Sequence, residues 1–499
     1  MAPTAEQRIA QSRVAGDQQY QQLVAYALGA ASRTASAYEA ELHIFRGIQQ
    51  LGQALLRQFF ESRAAVRPAG LVTGAAGTAL AYHDRRPVTY VSVFGKIVFR
   101  RHAFTARGQG MVCPLDAELS LPERSYSDLL REWSGFGCAD GAFHEVAGFL
   151  ERILGWRPSV QALETSARED ASDVAAFHER PVEAEPDQAE EAATILVAQA
   201  DGKGVPMVQP PPAARPVRPG KGAPPNRMRE AVVTALYTIA PYPRTPAAVA
   251  ASLLRESDDA GSAPRPRPVQ KELRATLDGK AVALARLADQ AQRRDGPQII
   301  DRVALTDGAH ALQDQMRTAL PGHTLVLDII HAVEYLWSAA NALLGERHPN
   351  RTAWVRTHLL LLLHGQIDTL VADLTAAVAA RPDLSATRRD AVVTTIGYYR
   401  RNAPYMRYDQ YLARGWPIGT GVIESACGHL VKDRMQQAGM RWTKAGAHAI
   451  LDLRAIRLSD HWDPYWLFHR RRQHARLYGS TGSPSGSPDA LLLKHAQAA

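Results

Sequence analysis

A mixed α/β domain around one central sheet, preceded by helical and small β units and followed by a long helical block, is the fold class this sequence predicts. Three observations predict it. Between residues 194 and 330, apolar runs of strand length (TILVAQA, REAVVTALYTIAP, QIIDRVALTDG, TLVLDII) are interleaved with stretches of helical spacing. From Ala332 onward nearly everything has helical spacing. Before Ala192 the chain is mostly helical in pattern, with one dense β segment, PVTYVSVFGKIVFRRHAF.

Taken in order, residues 1–80 read as amphipathic helices, with Leu42, Phe45, Ile48, Leu51 and Leu55 at helical spacing. Residues 81–176 read as a small β unit, a hairpin split at Gly95, then three helices compatible with a helix-turn-helix. Ser159 is the expected N-cap of the third. Residues 177–192 carry six acids against Arg180 and read as a linker. Residues 193–331 hold the sheet. It opens with a strand, an Asp201-Gly202 turn and a second strand, then a Pro-rich loop and a third strand. Lys271 to Arg294 reads as a helix, followed by two strand-helix pairs. Residues 332–411 form a helical block, 412–478 a glutamate-bearing helix with basic helices after it, and 479–499, with SPSGSP, a flexible tail.

At 499 residues, 46% hydrophobic and 22% charged, the chain is long enough for about three domains of ~150 residues and is not disordered, collagenous or coiled-coil. The three cysteines, Cys113, Cys138 and Cys427, make no disulfide framework or paired zinc motif. The leucine run from Leu359 to Leu363 is too short to span a bilayer, and the N-terminus lacks a signal-peptide core, so a cytoplasmic protein without membrane contact is expected. The net charge of +8 is unevenly placed: residues 81–110 hold six Lys or Arg against one acid, and residues 427–479 hold ten against four. Such blocks attract a polyanion, of which nucleic acid is the commonest, or form an ordinary solvated surface.

Two strand ends carry acids. Asp201 and Asp307 each precede a glycine, and convergent carboxylates suit hard cations such as Mg²⁺. Each has a plain reading as well, Asp201 in a hairpin turn and Asp307 as a helix cap. Glu424 is the third candidate, in a helix that begins near Val422 and whose neighbours Ser425, Ala426, Cys427 and Gly428 are small enough for close approach.

Four ordered blocks carry a resemblance. The run PIGTGVIESACGHLVKDRMQQAGMRWTKAGAHAILDLRAIRLSDHWDPYW resembles the C-terminal signature of the ISKra group of bacterial insertion-sequence transposases. ADGKGVPM is similar to that group's first-aspartate motif, and ALTDGAHAL with LVLDIIHAVEYLW to its second-aspartate block. RPVTYVSVFGKIVFRRHAF followed by CPLDAELSLP is similar to its N-terminal pattern, so the resemblance spans roughly residues 85–466. It implies a DDE transposase related to the Mutator class. It also implies an RNase H-like catalytic core with a helical insertion, preceded by helical and small β DNA-binding units. Asp201, Asp307 and Glu424 would be the triad, separated by 106 and 117 residues, and Asp328 with His331 the DxxH pair. Relatives commonly carry paired cysteines before the PLD segment; only Cys113 stands here, which leaves a zinc site in doubt.

The implied chemistry uses two Mg²⁺ (or Mn²⁺) ions about 3.5–4 Å apart, with Asp201 bridging and Asp307 and Glu424 each completing one sphere. Water attacks first, and the freed 3′-hydroxyl then attacks target DNA. Asp328 and His331 would orient a nucleotide or merely cap a helix. Lys203, Lys432, Arg434, Arg441 and Lys444, with Arg85, Arg86, Arg100 and Arg101 in the β unit, would meet phosphates. Trp442 would stack on an unpaired base or anchor its helix. The partners expected are transposon terminal inverted repeats, target DNA and at least a second copy of the chain. A structure-selective nuclease and a catalytically silent DNA-binding derivative remain the alternatives.

Overall fold

The computed structural model describes residues 4–74, 77–180, 192–208, 228–256, 264–437 and 439–479. The acidic linker, the Pro-rich loop after Val208 and the SPSGSP tail therefore fall largely or wholly outside the described residues. The chain forms two compact units: Met1–Phe177 together with the residues from Asp463 onward, and His178–Trp462.

The first unit opens with two helices, α1 (Ala5–Leu28) and α2 (Ala37–Ala65), each started by a capping box, Thr4 with Gln7 and Ser36 with Glu39. Three antiparallel strands follow, β1 (Val72–Thr73), β2 (Ala79–Ser92) and β3 (Gly95–Thr105). Gly95, at φ +106°, makes the β2–β3 turn, as the sequence indicated. Phe60 of α2 stacks on Phe99 of β3 with ring centroids 4.5 Å apart, joining helix and sheet in one core. A short helix, α3 (Pro114–Glu118), leads to α4 (Asp128–Asp140), α5 (Phe143–Leu154) and α6 (Val160–Asp170), with Ser127 capping α4 and Ser159 capping α6.

The helix Trp462–Tyr478 corrects one expectation. The sequence grouped it with the glutamate helix, yet from Asp463 onward it belongs to the first unit. Buried Asp173 explains why: it accepts from His469 Nδ1 (2.8 Å), Arg472 Nε (2.9 Å) and Arg476 (2.6 Å). Part of the C-terminal basic block thus neutralises an internal acid.

The second unit is a three-layer α/β structure. Its sheet comprises β4 (Ile195–Pro206), β5 (Met228–Ile239), β6 (Val269–Thr276), β7 (Asp301–Thr306) and β8 (Thr324–Leu327), in the order β6-β5-β4-β7-β8. The β4–β5 and β5–β6 pairs are antiparallel, and β4–β7 and β7–β8 parallel. Helix α7 (Pro246–Leu253) follows β5; α8 (Lys280–Arg294) and α9 (His310–Ala319) cover one face through Leu284, Leu287, Leu312 and Met316, against Leu196, Ala198 and Ala304. The other face, with Ile195, Val197, Val303 and Leu305, lies under α10 (Ile329–Leu343), α11 (Arg351–Leu363), α12 (Ile367–Ala379), α13 (Ala386–Asn402) and α14 (Tyr408–Ala413). The chain then returns through α15 (Gly421–Ala426), a π-helical turn (Cys427–Lys432) and α16 (Lys444–Leu458).

Two strand expectations change. Asp201-Gly202 is no hairpin turn: β4 runs straight through it, with Asp201 opposite Val233 and Gly202 opposite Val232. The glycines serve space instead, since a Cβ on Gly202 would strike the Glu230 side chain and one on Gly204 would lie 3.0 Å from Met228. Lys271–Arg294 is not one helix either. Leu273 and Ala275 alternate inward as β6, and Gly279, at φ +92°, resets the chain before α8.

Candidate functional site

The β4–β7 pairing leads toward two acids. Every pair from Ile195↔Asp301 to Gln199↔Leu305 has the same offset, and the pairing ends two residues short of Asp201 on β4 and of Asp307, which directly follows the last residue of β7. Neighbouring strands lie about 4.8 Å apart and side chains repeat every two residues. Asp201 therefore shares the strand face of Ile195, Val197 and Gln199, and Asp307 stands just past the end of β7. Both are half-buried. The Gly202 N–H donates to Asp201 Oδ1 (2.6 Å), and the Ala309 N–H to Asp307 Oδ1 (2.9 Å). Gly308, at φ +91°, turns the chain between Asp307 and α9.

Asp328, fully buried, is the N-cap of α10, accepting from the N–H groups of Ile330 and His331 at 3.3 Å. It does more than cap. The Thr420 N–H donates to its Oδ1 (3.1 Å), and His331 Nδ1 sits 2.7 Å from its Oδ2. This hydrogen bond, helped by the charges of Asp328, Glu334 and Asp307 against the cost of burial, pushes the His331 imidazole up to about 9, so the ring is cationic at neutral pH.

Glu424 arrives on α15, which is pinned to the sheet at Gln199. The Gln199 Oε1 accepts from the Ile423 N–H (2.9 Å) while its Nε2 donates to the Tyr237 hydroxyl (3.1 Å). Thr420 Oγ1 donates to Glu424 Oε1 (2.8 Å), and ligand atoms of Asp328, His331 and Glu424 lie within 4.8 Å of one another. Three residues beyond Glu424, Cys427 donates its thiol to Asp201 Oδ2 at 3.4 Å. Burial, then the Asp201 charge, pushes that thiol far up, so it stays protonated. Among the described residues the ligand atoms that come within reach of one another are those of Asp328, His331 and Glu424; Asp201 meets this region through the Cys427 thiol and Asp307 through its charge on His331. Carboxylate oxygens are the donors hard divalent cations take, and Asp201, Asp307 and Glu424, none of them fully buried, offer such oxygens.

Gln199, Thr420 and Cys427 are the residues that sequence reasoning did not assign to the site. The signal for Gln199 was there: an amide inside an otherwise apolar strand needs partners.

The DNA-contact candidates divide. Lys203 follows Asp201 by two residues and so lies on its face, half-buried; Lys432 and Arg441 are exposed. Lys444 is exposed but paired with Asp278 at 2.7 Å. Arg434 and Trp442 are a correction. Arg434 is fully buried with its guanidinium 4.9 Å from the Trp442 ring centroid, and the Trp442 Nε1–H donates to the Met435 carbonyl (3.0 Å). They pack against each other inside the protein, where neither a phosphate nor a base can reach them. In the first unit, Arg85 and Arg100 donate to each other's backbone carbonyls across the β2–β3 ladder, Arg86 to Asp84, and Arg101 to Asp116. Arg86 is exposed and Arg101 largely covered.

No family model and no curated protein matches the chain. Among solved structures it is similar to a Drosophila P element transposase strand transfer complex, at 9% identity over 77% of this chain and 89% of that one, with a TM-score of 0.23. Among the described residues, no helix is long and apolar enough to cross a membrane.

Proposed function

We propose that the chain is a metal-dependent DNA transposase of the ISKra group, its second unit an RNase H-like DDE core in which Asp201, Asp307 and Glu424 hold the ions. The observation that supports the reading is the β4–β7 pairing, whose constant offset of 106 residues leads toward Asp201 and Asp307, with the helix bearing Glu424 tied to β4 through the Gln199 bond to Ile423. Mg²⁺ or Mn²⁺ bound there, two ions in this reading, supplies an activated attacking oxygen and a stabilised leaving oxygen for displacement at phosphorus. The protein's own groups set the stage. Gly202 and Ala309 N–H groups fix one oxygen each of Asp201 and Asp307, and the Cys427 thiol reaches the second oxygen of Asp201, which a bound ion would have to share or displace. Thr420 holds Glu424 toward the Asp328–His331 pair, where the cationic imidazole is suited to a phosphate oxygen. Lys203, Lys432 and Arg441 neutralise the flanking backbone without reading sequence. Strand transfer needs two element ends held together, so at least two copies act on terminal inverted repeats and target DNA.

Asp201→Asn or Glu424→Gln is expected to abolish Mg²⁺-dependent cleavage of a duplex carrying the element's end while leaving its binding within about two-fold. Cleavage surviving either change sinks the triad. Cutting without joining to a target would instead define a nuclease, and DNA binding with no metal-dependent product a silent derivative.

A further inference from the structure

Among the buried tyrosines of the helical layer over the site, three have hydroxyls with different fates. The Tyr399 hydroxyl donates to the Ala332 carbonyl (2.7 Å) and that of Tyr408 to the Leu327 carbonyl (2.9 Å). The hydroxyl of Tyr398, on α13, has no hydrogen-bond partner among the described residues, although the side chain is 4% exposed. A buried hydroxyl left in this state is costly, and proteins rarely keep one without use. Its position is fixed: the ring stacks on Tyr335 with centroids 3.7 Å apart. Its aim is equally specific, because a Cβ built on Gly308 would lie 2.8 Å from this oxygen. Gly308 directly follows Asp307, and the charges of Asp328 and Asp307 both reach the phenol.

We propose that Tyr398 is a positioning residue for Asp307: its hydroxyl donates to the Asp307 carboxylate once a divalent ion engages that carboxylate, and waits unpaired until then. This rests on the metal-binding reading above. It also gives Gly308 a role, since a side chain there would crowd the phenol oxygen.

The test uses the full chain, Mn²⁺ binding followed by electron paramagnetic resonance, and thermal unfolding in EDTA. Tyr398→Phe is expected to weaken Mn²⁺ binding about ten-fold, the loss of one hydrogen bond to a charged group. In EDTA its unfolding midpoint should equal or exceed that of the unaltered protein, because nothing is lost. Tyr399→Phe is the control: it should lower the EDTA midpoint and leave Mn²⁺ affinity alone. The assignment is overturned if Tyr398→Phe leaves Mn²⁺ affinity unchanged while Asp307→Asn abolishes it, or if Tyr398→Phe lowers the EDTA midpoint as Tyr399→Phe does. Absent Mn²⁺ binding in the unaltered protein, or binding indifferent to Asp307→Asn, would bring down the metal-binding reading itself, and Tyr398's role with it.

Discussion

Gln199 shows how a single side chain couples chemistry to architecture. It is fully buried, bonds Tyr237 on β5 and Ile423 on α15, and stands two residues before Asp201 on the same strand face. Replacing it with leucine keeps the volume but strands a buried amide N–H and a buried phenol. Gln199→Leu is expected to cost about 1–3 kcal/mol in urea unfolding and to lower metal-dependent cleavage more than DNA binding, since α15 loses its tie to the sheet. At this scale the sequence was partly legible. Asp201 and Asp307 stand out because each closes an apolar run in the sequence, although β4 continues through Asp201 and Asp307 also accepts from the Ala309 N–H at the start of the next helix. Arg434 and Trp442 misled because burial is decided by neighbours remote in sequence, and a basic residue beside an aromatic looks alike whether it faces solvent or core. Tyr398 could not be found at all, since a missing hydrogen bond has no signature in sequence.

At the scale of elements, the misreadings have one cause. An Asp-Gly pair favours turns, but in β4 the glycines make room for Glu230 and Met228 of the next strand, which local sequence does not encode. The β6 segment VQKELRAT lacks the β-branched density of a strand and is recruited by pairing to β5. The β7–α9 connection is a sharper case. Gly308 has φ +91°, and a Cβ there would crowd Leu327 at 3.0 Å, so Gly308→Ala is expected to destabilise the second unit by about 1–3 kcal/mol in urea unfolding. The docking of the helix Trp462–Tyr478 carries a pH dependence. Burial raises Asp173, but hydrogen bonds from His469, Arg476 and Arg472 outweigh it and hold the carboxyl well below the usual range. A depressed carboxyl stabilises fully above its unfolded value, near 3.9, and the contribution drains away as pH falls below that. Circular dichroism melts should therefore show stability falling with acid below about pH 4, and Asp173→Asn, which loses about 3 kcal/mol at neutral pH, should flatten that part of the profile.

For the whole molecule, the +8 charge overstates what is free to attract a polyanion. Arg101, Arg434, Arg472, Arg476 and Lys444 are engaged within the protein, by Asp116, Trp442, Asp173 and Asp278. Lys432 and Arg441 remain exposed. Changing both to alanine should weaken binding to any duplex alike and reduce the slope of log affinity against log salt by about 2, near 0.9 per lost phosphate contact; a change confined to one sequence would contradict a backbone role.

The long return of the C-terminal helix sets a timetable for biosynthesis. Asp173 must wait for His469 and Arg476, which lie 296 and 303 residues downstream. At ribosomal speeds of about 5–20 residues per second, that delay is roughly 15 to 60 seconds. The unit that holds Asp173 thus finishes folding late, its acid bare on the nascent chain until the helix Trp462–Tyr478 emerges. A stop codon ahead of His469 would harm the unit that holds Asp173 more than the unit His178–Trp462.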